Sequence, residues 1–320
     1  MKLLYSLLFL FATTYSDSQP LQKINQVLKG RSIALLDRSI TALGKTNFEI
    51  SRELQRPIVG DYKADIIAIK EFPLASDTSG SHYINNYAIY LLSENDKIFY
   101  CKFSGSLYNN DSTGEPQARD TIIENYTDSL RYASFENEYK EIYYDTINKS
   151  DIFLNSFVYG YHCGIAGINP DEANNFDMLL ASNNVDEIRH WLKSPNAEKQ
   201  LYAFRGYKVL VYDGYVLTKE EGNILAYLKH KTGNVSICSG CMYTTGDFHH
   251  MILEIENTPV KYLRPDIKYS PPVLFPVKSL NNEKDISVYW ILGILTGLIF
   301  AAFLYYRQTI NHNAKKQGSP

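Results

Sequence analysis

The chain has 320 residues, with 32 basic and 35 acidic side chains, a net charge of −3 and 45% hydrophobic residues. That balance leaves no basic field, which excludes nucleic acid as a partner, and the length suffices for one large domain or two modest ones with proper cores. Tyrosine is abundant, 26 residues against 2 tryptophans, a usage that suits half-buried positions where the ring packs and the hydroxyl stays wet.

In chain order, Met1-Lys2 gives a minimal positive start and residues 3–12 an apolar stretch too short to span a bilayer. Ser16 and Ser18 then stand at the −3 and −1 positions of a cleavage site before Gln19. Residues 1–18 therefore read as a signal peptide. Apolar residues at three- and four-residue steps, Ile24, Val27, Leu28, Leu35, Leu36, Ile40 and Leu43, predict a single helix over 21–43 that Gly44 ends. Strand-like runs follow at 64–72, 87–92 and 97–103, with a hairpin loop at 93–96 and an exposed loop at 108–119. Further strands are expected at 139–145 and 152–161. Residues 19–160 thus predict an exported α+β domain built on a small antiparallel sheet.

After Gly167 the period becomes helical. Pro170-Asp171-Glu172 starts one helix, residues 185–192 give a second, and Ser194-Pro195 opens a third that runs to Asp213-Gly214. Thr218 and Glu221 form a capping box for a fourth over 219–230. Residues 161–255 therefore predict an α-helical hairpin domain, repeat-like in character. Prolines 259, 265, 271, 272 and 276 make residues 256–287 a stiff spacer.

Residues 288–306 (VYWILGILTGLIFAAFLYY) carry no charge and would span roughly 28 Å as a helix, close to a hydrocarbon core. Tyrosine and tryptophan sit at its ends, and Arg307, Lys315 and Lys316 follow. The positive-inside bias then leaves residues 307–320 in the cytoplasm and the bulk of the chain in an extracytoplasmic space, periplasmic or extracellular. Gly293, Gly297 and Ala301 recur at four-residue steps, a packing stripe through which a homodimer would form in the membrane. The expected class is α+β: an antiparallel-sheet domain, a helical repeat-like domain and one C-terminal transmembrane helix.

Residues 187–210 (EIRHWLKSPNAEKQLYAFRGYKVL) resemble one unit of HEAT-type helical repeats, which implies stacked helices over that stretch. The pieces YGYHCG and CSGCMY resemble blocks of exported, membrane-anchored bacterial proteins, which implies an envelope location and brings no activity with it.

Chemistry, where it is visible, gathers at cysteines. Four occur: Cys101, Cys163, Cys238 and Cys241. An even count in an oxidising compartment suggests disulfides, and Cys163 bonded to Cys238 or to Cys241 would staple the helical array closed. Two alternatives stand beside that reading. Cys238-Ser-Gly-Cys241 has the C-x-x-C spacing of thiol-exchange motifs, although the following MYTTGDF does not read as the helix that would lower the thiol pKa. The same spacing suits zinc, with Cys163 and one of His162, His249 or His250 completing a set. No G-x-S-x-G, H-E-x-x-H, P-loop or G-x-G-x-x-G motif is present. Sequons stand at Asn110, Asn125, Asn148 and Asn234. The resulting expectation is a single-pass, membrane-tethered interaction or assembly protein without catalysis, its helical surface binding a protein partner. The alternative is an extracytoplasmic metal- or thiol-dependent protein centred on Cys163, Cys238 and Cys241.

Overall fold

The computed structural model describes residues 19–43, 47–72, 84–110, 116–163, 167–240 and 242–265. All of them belong to one compact unit, Met1–Lys268.

The amino-terminal helical stretch is two helices, α1 (Gln19–Lys29) and α2 (Ile33–Leu43), where the apolar spacing predicts one. The break falls at Gly30-Arg31-Ser32, with Arg31 in the left-handed region at φ 56°. Asp96 supplies the reason. Its carboxylate accepts from the Ala34 N–H and the Ser32 hydroxyl, both at 2.8 Å, so it caps the start of α2 from a distant hairpin turn. Those bonds hold the Asp96 carboxyl below its usual range, the Ala34 N–H contributing most.

Five strands follow as an antiparallel meander in sequence order: β1 (Phe48–Val59), β2 (Tyr62–Glu71), β3 (Asn85–Glu94), β4 (Lys97–Asn110) and β5 (Pro116–Thr127). The last two extend into what reads as a loop at 108–119. Alternation splits the sheet into two apolar faces. Ile67, Ile69, Ile89, Leu91, Cys101 and Phe103 pack beneath Ile24, Leu28 and Leu36 of α1 and α2. Tyr62, Ala64, Ile66, Leu92 and Phe99 face the opposite way, into the main core.

The helix α3 (Ser129–Tyr143) covers that second face; the aromatic run 139–145 reads as a strand but lies at its end and just beyond. Asp128 caps it, and Phe135, Tyr139 and Tyr143, four residues apart, are fully buried on one side. The expected strand at 152–161 is instead the end of a short helix, α4 (Lys149–Ile152), and an irregular segment. That segment makes a single parallel bridge, from Tyr159 to Ile237.

The helical half comes out close to its spacing: α5 (Asp171–Ala181), α6 (Val185–Leu192), α7 (Ala197–Tyr212) and α8 (Lys219–Leu228). Thr218 and Glu221 form the capping box. A β-ribbon follows, β6 (Asn234–Ser239) with β7 (Met242–Asp247), then α9 (Phe248–Asn257) and α10 (Val260–Leu263). Helix α7 is buried along most of its length, with Leu201, Tyr202, Phe204 and Tyr207 inside the core that also holds Phe99 and Phe135. Sheet and helices therefore share one core.

Buried charge fastens the two halves. Arg56 of β1 and Glu198 of α7 are both fully buried and 2.6 Å apart. Arg56 also donates to the carbonyls of Asp151, Ile152 and Leu154, and the second Glu198 oxygen accepts from Ser236 N–H at 2.8 Å. Lys231 joins the same cluster, donating to Ile58 O at 2.9 Å and Gln200 Oε1 at 2.7 Å.

The expected class needs one correction. The fold is α+β, but among the described residues no helix is long and apolar enough to cross a membrane. Residues 288–306, with Gly293, Gly297 and Ala301, lie outside the described residues, as do 1–18 and 307–320.

Candidate functional site

Cys163 and Cys238 are joined by a disulfide, with Cα atoms 5.4 Å apart and a sequence separation of 75. Closing a loop of that size contributes about 4 kcal/mol in the chain-entropy description, and the loop contains all of α5 to α8. Cys101 is elsewhere, fully buried in β4, and burial pushes its thiol up to about 12, which makes it inert. Cys241 lies outside the described residues.

The approach to the disulfide is built from the backbone. Tyr159 N–H donates to Ser236 O at 2.9 Å and Cys238 N–H to Tyr159 O at 3.0 Å, which ties residues 158–160 alongside β6. Gly160 stands there because a Cβ at that position would come within 2.8 Å of both sulfurs. Its N–H donates to the Tyr202 hydroxyl of α7 at 3.2 Å, and that hydroxyl is 2.9 Å from Val158 O.

Beside the disulfide opens a cleft of about 670 Å³ between residues 159–162, α5, α7, β6, α9 and α10. Its floor is an ion pair, Asp177 of α5 with Arg205 of α7, the Arg205 Nη1 donating to Asp177 Oδ1 at 3.0 Å. Only 4% of the Asp177 side chain and 5% of that of Arg205 are exposed. Tyr161 serves both partners: its hydroxyl donates to Asp177 Oδ1 at 3.2 Å, and its ring lies 3.8 Å beneath the guanidinium. Burial pushes the Asp177 carboxyl up to about 7 and draws Arg205 down to about 10. His162 acts the other way on Asp177, and Tyr159 on Arg205.

Tyr159, Ile237 and Leu263 supply apolar wall, and His162, His250, Glu254 and Lys261 stand at the mouth. His162 is held in the left-handed region at φ 58°, its N–H donating to Asn169 Oδ1 at 2.8 Å. His250 opens α9 with its N–H on the capping Asp247, while His249 turns away, its Nδ1 2.7 Å from Lys229 O. Of the residues that the sequence singles out, the fold thus brings Cys163, Cys238, His162 and His250 to one place and separates Cys101 and His249 from it. Among the described residues no group of three or more His, Cys, Asp or Glu side chains is placed to hold a metal ion.

Asp177, Arg205, Tyr159 and Tyr161 are not singled out by sequence reasoning. One signal was present: Asp177 lies within FDMLL and Arg205 within YAFRGY, ionisable residues inside apolar helical runs. A charge at such a position is buried and paired or faces a cavity, and here both hold. No family model, no curated protein and no solved structure matches this chain.

Proposed function

We propose that this chain is an exported interaction protein that recognises its target at the cleft beside the Cys163–Cys238 disulfide, without catalysis. The observation that carries the reading is the floor of that cleft, where a nearly fully buried ion pair lines a cavity with hydrogen-bonding capacity left over. Cavities with apolar walls and a few convergent polar groups are the usual form of a recognition site. The disulfide supports an oxidising, extracytoplasmic location. Association of the full chain with a membrane belongs to the same proposal and rests on the uncharged run 288–306 of the sequence, with carbonate extraction as its test.

The experiment on the cleft compares wild-type chain with Arg205→Gln in cross-linked capture from the native cell, after confirming equal melting temperatures and an intact disulfide. At least one species captured by the wild type is expected to be lost with the variant. Identical capture would mean that recognition happens elsewhere. A turnover of thiols or disulfides by the folded chain would instead favour the thiol-dependent reading centred on Cys163, Cys238 and Cys241.

A further inference from the structure

Resting on the cleft as the recognition site, we propose that its floor binds the edge of a neutral primary carboxamide, which presents an N–H on the same side as its carbonyl oxygen. Among the described residues, Asp177 Oδ2 and Arg205 Nε and Nη2 make no hydrogen bond, the pair's bonds being confined to Asp177 Oδ1 and Arg205 Nη1. Nor are they among the sealed polar atoms without a partner, which are Asn25 Oδ1, Arg56 Nε, Asn174 Oδ1 and Glu198 Oε2. Both residues line the cleft. A nearly buried acceptor and nearly buried donors stand next to each other and wait for a complement.

Charge decides what that complement is. The pair is neutral as a unit, so a carboxylate seated on Arg205 would sit beside the Asp177 carboxylate, and an ammonium seated on Asp177 would sit beside the guanidinium. In a dry setting either like-charge contact is penalised. An amide edge gives its N–H to Asp177 and takes a hydrogen bond from Arg205 at its carbonyl, completing both without adding charge. The walls fit a flat group. Tyr159 and Tyr161 present rings, Ile237 and Leu263 aliphatic surface, and the Tyr159 hydroxyl, with no hydrogen bond among the described residues, adds one polar handle. Sites that hydrogen-bond a specific polar edge reject analogues lacking it, because the buried groups are then left unpaired.

The test uses the full chain and three probes that share one ring: benzamide, benzoate and benzylamine, followed by saturation-transfer NMR with titration. Benzamide is expected to bind at least about tenfold more tightly than either charged probe. Arg205→Gln is expected to abolish that binding. Should Arg205→Gln fail to fold, Tyr159→Phe keeps the packing and is expected to weaken benzamide several-fold at an unchanged melting temperature. Benzoate or benzylamine binding more tightly than benzamide would overturn the amide assignment while leaving the cleft as a binding site. Binding of none of the three by a folded, disulfide-bonded chain would overturn the cleft reading itself, and benzamide affinity unchanged in the folded variants would place its binding elsewhere.

Discussion

Arg56→Met removes the cation from the buried contact that joins the sheet to helix α7. Methionine fills a similar volume, so the cost is electrostatic and not a cavity. Three carbonyls, those of Asp151, Ile152 and Leu154, lose their donor, and Glu198 keeps its charge with only the Ser236 N–H at 2.8 Å. Stranding one member of a buried ion pair costs about 3–5 kcal/mol. Lys231 reduces that figure. Burial first, and then the Arg56 charge, hold its ammonium well below the ordinary lysine range, while Glu198 acts the other way. With Arg56 gone, Lys231 charges more readily and offsets part of the Glu198 field, which places the expected loss near the lower end, about 3 kcal/mol. Urea denaturation of the full chain at neutral pH, at constant m-value, measures it. Arg56→Met with Glu198→Gln is expected to recover part of the loss, since no naked charge remains. A cost for Arg56→Met below about 1 kcal/mol would refute the claim that this pair fastens the two halves.

Three further outcomes follow from the same geometry. Replacing both Cys163 and Cys238 by serine is expected to cost about 4 kcal/mol, read as a fall in denaturation midpoint, whereas alkylating conditions should leave the buried Cys101 unmodified in the folded chain. Gly160→Ala drives a methyl group against both sulfurs and is expected to cost about 1–3 kcal/mol and to raise the rate of disulfide reduction. Glu221 gives the pH dependence: burial would raise its carboxyl, but hydrogen bonds from Thr218 N–H, Tyr207, Arg189 and Tyr215 prevail and hold it down to about 2. Its folded value is therefore below the unfolded 4.5, so its stabilisation is present above pH 4.5 and lost as pH falls toward 2. That loss amounts to about 3 kcal/mol, and denaturation midpoints of wild type and Glu221→Gln should converge over this acid range.

How far the fold was legible varied along the chain for definite reasons. Helices α5 to α8 could be placed from residues alone because their signals are local. Asn184, Asn196 and Thr218 cap them, and Ile188, Trp191 and Leu192, or Ile224 and Leu228, bury one side. The run 139–145 misled because tyrosines favour strands as readily as buried helix faces. What decided it was the second face of the sheet, which receives Phe135, Tyr139 and Tyr143 at helical spacing. The single helix expected over 21–43 failed for a similar reason, since the group that splits it, Asp96, is more than sixty residues away.

By itself the sequence determined the α+β class, the three central strands β2 to β4 and the helical half, and it offered a staple between the helical borders beside zinc and thiol-exchange readings, because periodicity, caps and cysteine position are properties of neighbouring residues. Strands β1 and β5 were not read from the sequence. It also pointed to Cys163 and left Cys238 and Cys241 equal as partners. Tertiary structure alone chose Cys238, by drawing residues 158–160 alongside β6, and it alone brought Asp177 to Arg205 across the α5–α7 contact. A pair 28 residues apart on two helices has no local signature. Its meeting, and the cleft above it, are set by how the helices pack in three dimensions.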